Sequence, residues 1–439
     1  MTPDKNIFCN TPWYEIQIYW DGSFGICCQE DHKLYDPADS QYNIARMSIL
    51  DWFDSEPARQ FRIKVLGKKP VSACHRCYVE ESHDGMSRRL RSNQKSVIFT
   101  RAAFNDSFDQ SPGYRQFLYS DWYHGKTLTH PIDIHVDLGN FCNLACKMCN
   151  PRASSTIASQ HIKWGIESSR QYLGTDWTRD QTVWNSFKSQ LLEIPDLNNI
   201  HFMGGETLLT DRFEDLVDTM LAAGRTELCF SFVTNGTVFK PTLIQKLQKF
   251  RKVGIEVSIE SLTAHNAYQR QGTDTQIVLE NIQRYLDISN GTSITLALRP
   301  APSALTIGTY STLLQYALDQ RLIVKSNLCV VPRFLAAEIL PDPVKSLYRS
   351  QYQDLLETLD DATIGIDYNA SDPNNYRGVV RQEAEMCRNI LNTPAPSDAE
   401  EQQRALVQHC GRWDQVYGLN ARELYPEWTG ILDRYGYPS

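Results

Sequence analysis

Three cysteines within eight residues, Cys142, Cys146 and Cys149 in the run FCNLACKMCNP, constrain this chain more than any other feature. Three thiolates on one short loop can hold three irons of a [4Fe–4S] cluster and leave the fourth iron open to a small chelating ligand. A zinc site short of its fourth ligand is the competing use of the same spacing. The loop follows a strand-like run, IDIHVDL at 132–138, so whatever binds there binds at a strand end.

A second group lies upstream. Cys74 and Cys77 form a C-x2-C pair, with Cys9, Cys27 and Cys28 before it. Four cysteines can fully ligate another [4Fe–4S] cluster or a structural zinc. The chain has 12 cysteines in 439 residues, too few for a disulfide scaffold. The opening MTPDKNIFCN has no apolar h-region, so a secretory signal is not expected. Reduced thiols serving a metal in the cytoplasm is the resulting expectation. No apolar run of about 18 residues offers a membrane span. The net charge of -8 argues against nucleic acid as a partner.

The rhythm of the chain divides it into four parts: an irregular module at 1–100, a linker at 101–130, alternating strands and helices at 131–335, and a mostly helical extension at 336–439. In the module, EIQIYWDGSFGICC reads as a hairpin around Asp21-Gly22. One helix is expected from Met47 to Val65. Arg88, Arg89, Arg91, Lys95 and Arg101 form a basic segment, either a solvated helix face or a substrate contact. Downstream come strands at 132–138, 198–204, 227–236, 255–261, 293–300 and 322–331. The intervening helices include one opened by Pro241 and closed by Gly254. Six such steps imply an α/β fold: a parallel sheet with right-handed crossovers, curled as a partial (β/α)6 TIM-like barrel. Sites in such folds lie at the C-terminal ends of the strands.

The motifs at those ends resemble the radical S-adenosylmethionine (radical SAM) superfamily. Its hallmark is C-x3-C-x2-C on the loop after the first barrel strand, usually with an aromatic residue where this chain has Met148. Gly204-Gly205-Glu206-Thr207 is similar to the family's glycine-glycine-glutamate-proline motif, with Thr207 replacing the proline. Thr234 and Asn235 end the third strand, as in many members, and Ser258 and Glu260 end the fourth. The segment AYQRQGTD places Arg270 where it resembles a group reaching the carboxylate of SAM. The resemblance implies that Cys142, Cys146 and Cys149 hold the SAM cluster. It implies that Gly204, Gly205, Glu206, Thr234, Asn235, Ser258, Glu260 and Arg270 surround SAM, with Glu206 on its amino group.

Cys9, twelve residues, Gly22, four residues, Cys27 and then Cys74-x2-Cys77 resemble the twitch fold, a short form of the SPASM auxiliary-cluster domain. This implies Cys9, Cys27, Cys74 and Cys77 as ligands of one auxiliary [4Fe–4S] cluster, with Cys28 the rival to Cys27. The order departs from most relatives, because here the module precedes the barrel. The implied activity is reductive cleavage of SAM to a 5′-deoxyadenosyl radical and abstraction of a substrate hydrogen. The substrate expected first is a peptide or protein side chain, such as a precursor peptide. A sugar, nucleoside or amino acid is the alternative, and a non-catalytic electron-transfer protein is the alternative of another class. A flavodoxin or ferredoxin would be the reductant. Candidates on the substrate side are Arg299, at the end of the fifth strand, and Cys387 and Cys410 in the extension. Cys229 and Cys329 are expected as packing residues within strands.

Overall fold

The computed structural model of the chain describes residues 7–30, 35, 40–67, 69–94, 130–360 and 375–438. Lys95 and Arg101 of the basic segment and nearly all of the 101–130 linker lie outside the described residues.

Among the described residues ten strands form: β1 (Glu15–Ile18), β2 (Phe24–Gly25), β3 (Asp133–Asp137), β4 (Ala145–Cys146), β5 (Asn199–Met203), β6 (Cys229–Thr234), β7 (Lys252–Val257), β8 (Arg270–Gln271), β9 (Ile294–Leu298) and β10 (Ile323–Val324). Eight of them make one sheet in the order β10-β9-β7-β6-β5-β3-β1-β2. The six barrel strands, β3, β5, β6, β7, β9 and β10, run parallel, as the repeated strand–helix pattern requires.

Alternation along the strands explains the two faces. Ile134, Val136, Ile200, Phe202, Phe230, Phe232, Val253 and Ile255 are buried and point to the helices. The residues between them turn to the other face: His135, His201, Ser231, Gly254 and Thr295, polar except for the glycine, stand in register across β3, β5, β6, β7 and β9. Those polar side chains fill the concave face.

The module is not a separate lobe. Its β1 pairs in parallel with β3, Gln17 opposite His135, and Ile16 and Ile18 continue the apolar face of Ile134 and Val136. Its β2 closes the expected hairpin on β1, with Gly22 at φ +82°. The expected 47–65 helix splits into α1 (Ile49–Phe53) and α2 (Glu56–Val65), because Ser48 and Ser55 each cap a new start. The module ends with α3 (His75–Ser82) and α4 (Arg88–Gln94).

Around the barrel stand α5 (Ser155–Lys163), α6 (Gln181–Glu193), α7 (Asp211–Ala222), α8 (Pro241–Leu247), α9 (Ala264–Gln269), α10 (Thr275–Ser289) and α11 (Ile307–Asp319). Two boundaries differ from the sequence reading. Helix α8 stops at Leu247, and Gly254 lies inside β7, packed at 3.3 Å from Ser231 for any added Cβ. The sixth barrel strand shrinks to Ile323–Val324, so Cys329 sits in the following loop, buried but outside a strand. The extension is helical as expected: α12 (Asp342–Asp360), α13 (Tyr376–Asn392) and α14 (Ala399–Tyr417), then two short helices. Helix α14 ends at Gly418, whose φ of +65° suits a left-handed C-terminal stop.

Candidate functional site

The three-cysteine loop is pinned at both ends. Asn140 Nδ2 donates to the carbonyls of Pro151, 3.0 Å, and Tyr172, 2.7 Å, tying the start of the loop to its end. Ser154 Oγ caps α5 through Ile157 N and donates to Leu144 O at 2.9 Å. In the middle, β4 pairs antiparallel with β8, which sets Cys146 opposite Arg270.

The thiols themselves favour a metal. Burial pushes all three up, Cys149 to about 12, and the charges of the neighbouring thiols push Cys146 and Cys149 further. Three clustered thiols are soft donors that a metal deprotonates as it binds, at a cost that their burial raises. The donor set therefore fits an iron–sulfur cluster.

The expected SAM residues converge on this loop. Gly205 has φ +53° and lies against the backbone of Asn140 and Phe141, so a Cβ there would run into the Phe141 carbonyl. Glu206 N donates to Phe141 O at 2.7 Å. The Glu206 carboxylate accepts from Thr234 Oγ1, 2.7 Å, Asn235 N, 2.6 Å, and Leu208 N, 3.1 Å. Burial raises its pKa, while those three donors oppose the rise. Asn235 Nδ2 donates to Asn143 Oδ1 at 2.8 Å and lies 4.0 Å from Cys142 Sγ.

Arg270 and Glu260 form a buried bidentate pair, with Nε to Oε2 at 2.5 Å and the second arm at 2.6 Å. Its free arm, Nη1, stands 3.9 Å from Cys146 Sγ. Glu260 also accepts from Ala301 N, 3.1 Å, and is fully buried. Three donors thus occupy most of its acceptor capacity, and it orients Arg270. Ser258 is buried beside Thr234, its N–H donating to Thr234 O at 2.9 Å.

In the module, four thiols from three segments act on one another electrostatically: Cys9 before β1, Cys27 after β2, and Cys74 and Cys77 at the start of α3. Burial is the main cause that raises each. Cys27 is further raised by Cys28 and Glu15 and then by Cys74 and Cys77, Cys74 by Cys9 and Cys77, and Cys77, pushed up to about 12, by Cys9. All remain free thiols, so the same argument fits a second cluster here.

Cys28 turns elsewhere. Besides burial, the charges that act most on it are Arg88, Glu15, Arg299 and Asp137. Its Sγ, a Glu15 carboxylate oxygen and a His135 ring nitrogen lie within 4.8 Å of one another. That triad already holds a cation: Arg88 donates to Glu15 and its Nη2 stands 3.2 Å from His135 Nε2. The vicinal pair thus differs in surroundings: Cys28 lies beside Glu15 and His135, whereas Cys27 also feels Cys74 and Cys77.

The concave face continues as an ionic floor. His135 and His201 pack ring on ring at 4.6 Å, and His201 Nδ1 lies 2.7 Å from Ser231 Oγ. Burial holds His201 down at about 3, so it is neutral. Glu256 accepts from Arg299 and Lys325, both at 2.5 Å. Burial alone would raise Glu256, but Lys325 and Arg299 outweigh it and hold the carboxyl well below its usual range. Arg299 is thus placed on the floor of the barrel. Cys387 is enclosed between helices, near Tyr352 and Glu383. Cys410 lies behind the cysteine loop, bonded to Tyr268. Sequence spacing missed Glu15, Gln17 and His135, and it placed Arg88 only within a basic segment. The signal was present in the strands, where polar residues alternate with apolar ones on a face that the fold buries.

Comparison with known proteins gives two family matches. Residues 136–300 match the radical SAM superfamily model, and residues 9–78 match that of the iron–sulfur cluster-binding SPASM domain. No curated protein matches the chain. Among solved structures, native anSMEcpe with bound AdoMet is 18% identical with a TM-score of 0.37, over 52% of this chain and 62% of that one. Streptococcus suis SuiB bound to precursor peptide SuiA is 11% identical with a TM-score of 0.36, over 70% and 64%. TYW1 with a lysine-pyruvate adduct bound is 14% identical with a TM-score of 0.29, over 61% and 89%. The chain thus spans under two thirds of the length of the first two structures.

Proposed function

Residues 136–300 belong to the radical SAM superfamily and residues 9–78 to its SPASM-type iron–sulfur module, and from that premise we propose an enzyme that reductively cleaves SAM and removes a hydrogen atom from its substrate. Two [4Fe–4S] clusters and SAM are its cofactors. When bound, they supply a radical able to attack an unactivated C–H bond. The chain's own residues bind and orient. Cys142, Cys146 and Cys149 hold the first cluster. Glu206, fixed by Thr234, Asn235 and Leu208, takes the amino group of SAM. Arg270, fixed by Glu260, takes its carboxylate, and Gly204, Gly205 and Ser258 shape the backbone around it. Cys9, Cys27, Cys74 and Cys77 hold the auxiliary cluster, which serves electron transfer.

The observation that carries this reading is the bonding of the glycine–glutamate turn and of Arg270 to one cysteine loop, at 2.7 Å and 3.9 Å. The substrate is a peptide or protein side chain, a reading supported by the SPASM-type module. A small polar molecule is the second reading, and the charged floor of Glu15, Arg88, His135, Glu256 and Arg299 favours it. A low-potential flavodoxin or ferredoxin in the cytoplasm supplies the electrons. No helix among the described residues is long and apolar enough to cross a membrane.

The test is anaerobic reconstitution with SAM and a strong reductant. Formation of 5′-deoxyadenosine, and about eight irons per chain, are expected. Absence of 5′-deoxyadenosine from a reduced, iron-loaded preparation overturns the reading. One zinc and four irons would overturn the auxiliary cluster alone. Peptide pools and pools of sugars, nucleosides and amino acids then separate the two substrate readings by which one raises 5′-deoxyadenosine output.

A further inference from the structure

Helices α12 and α13 of the extension hold two arginines in the groove between them that the proposed function leaves unused. Bonds across the groove show how the helices run. Arg349 of α12 donates from Nη1 to Asn392 Oδ1 of α13 at 2.9 Å, and Arg388 of α13 donates from Nη1 to Gln353 Oε1 of α12 at 3.4 Å. Gln353 stands four residues after Arg349, and Asn392 four after Arg388, so the helices are antiparallel. The two guanidiniums therefore cross the groove about one helical turn, roughly 6 Å, apart.

The cleft they line measures about 470 Å³, and Ser346, Ser350, Gln353 and Asn392 complete its wall. Ser346, Arg349, Ser350 and Gln353 recur at the spacing of a single helix face. The other side of α12, with Tyr348, Tyr352 and Leu355, is buried in the core. Both arginines are half-buried, and the two serines are exposed at the rim.

The charge in this cleft is one-sided. Among the described residues no carboxylate lines it. Each partner of the two guanidiniums is neutral: Asn392, Gln353, and Ser346 Oγ at 3.2 Å from Arg349 Nη2. The acids one turn beyond are engaged elsewhere, Glu357 accepting from Gln353 Nε2 at 2.9 Å and Glu385 standing 3.7 Å from Arg381. Lys345, one turn before Arg349, is matched by Asp342 at 3.7 Å. Arg333, Arg422 and Arg434 of the same extension each pair with a carboxylate. Arg349 and Arg388 do not, and most of their N–H groups remain unspent.

We propose that this cleft is a binding site for a phosphate monoester, gripped by Arg349 and Arg388, with the hydroxyls of Ser346 and Ser350 at its rim. Two fixed positive charges match the nearly double negative charge of a phosphate ester. Its three terminal oxygens can serve both guanidiniums, whereas one arginine fills the two oxygens of a carboxylate. The open rim leaves room for the organic part of the ester. The cleft shares no residue with the cysteine loop, the Glu206 turn or the floor of the barrel, so its ligand is distinct from SAM.

The test is isothermal titration calorimetry of the full-length, cluster-loaded protein with glycerol phosphate and with inorganic phosphate. Acetate is the singly charged control, and sodium chloride keeps the ionic strength constant. Both phosphate compounds should bind, and acetate about tenfold or more weakly. Arg349→Gln and Arg388→Gln should each weaken phosphate binding about tenfold or more. Lack of binding by both phosphate compounds, equal binding of acetate, or binding unmoved by both substitutions overturns the proposal. Binding of inorganic phosphate without glycerol phosphate marks an adventitious ion only and overturns it too. Ser350→Asp keeps both arginines and their bonds, and it decides the matter if an arginine variant does not fold. In phosphate-free buffer it should raise the melting temperature, because two cations gain a counter-ion, and it should abolish phosphate binding. An unmoved or lowered melting temperature contradicts a cleft that lacks its anion.

Discussion

The two cysteine regions solve opposite problems. The barrel loop draws three thiols from one eight-residue stretch, and its remaining side faces Arg270, Asn235 and the Glu206 turn. The module draws four thiols from three segments that only the fold brings together, and those thiols act on one another electrostatically. A short loop can supply three ligands and must leave a coordination position open. A set closed through tertiary structure can fill all four. The comparison teaches that openness to a ligand follows from how the donors are delivered. Chemistry is expected at the first site and electron storage at the second.

The largest effect that could break this contrast is at the open site. Cys142→Ala should reduce 5′-deoxyadenosine formation to background and remove about four of eight irons, leaving the auxiliary spectrum intact. Loss of both spectra would mean that the sites are not independent. Next come the vicinal cysteines. Cys27→Ala should cost about four irons from the auxiliary site, whereas Cys28→Ala should keep the full count in iron analysis. An equal loss from both would show that either thiol can serve. Smaller again is Arg270→Gln, which strands the buried Glu260 carboxylate. A destabilisation of about 3–5 kcal/mol is expected in denaturant titration. A value near zero would mean that the pair is relaxed by water.

The smallest effect is a pH dependence within the module. Burial pushes Glu80 up to about 7, with Glu383 and Glu81 adding to the rise and Arg91 opposing it. The unfolded chain gives up that proton near the ordinary glutamate value of about 4.3, so between there and about 7 the folded state binds more protons. The stabilisation is complete below the lower value and is lost as pH rises through about 7, roughly 4 kcal/mol in all. Glu80→Gln should flatten that slope in pH-dependent unfolding. An unchanged slope would assign it to another group.

The sequence was most legible where ligands are close in the chain. The spacing of Cys142, Cys146 and Cys149, the Gly204–Glu206 turn and the strand–helix rhythm carry the barrel and its mouth. Legibility fell where the deciding contact joins distant segments. Nothing near Cys28 in the sequence shows that its partners are Glu15, at β1, and His135, at β3, since β1 joins the barrel sheet only through parallel pairing. Glu260 reads as a ligand-facing acid at a strand end, yet it is paired with Arg270 ten residues later. Boundaries failed for local reasons: after Leu247 the pattern still looks helical, but Lys252–Val257 is drawn into the sheet by β6 and β9.

The contrast between an open and a closed cluster has one direct measurement: electron–nuclear double resonance of the reduced protein with SAM carrying 15N in its amino group. The account predicts nitrogen coupling to one of the two cluster signals, and loss of that coupling together with that signal in Cys142→Ala. Coupling to neither signal, or coupling that survives in Cys142→Ala, would contradict it.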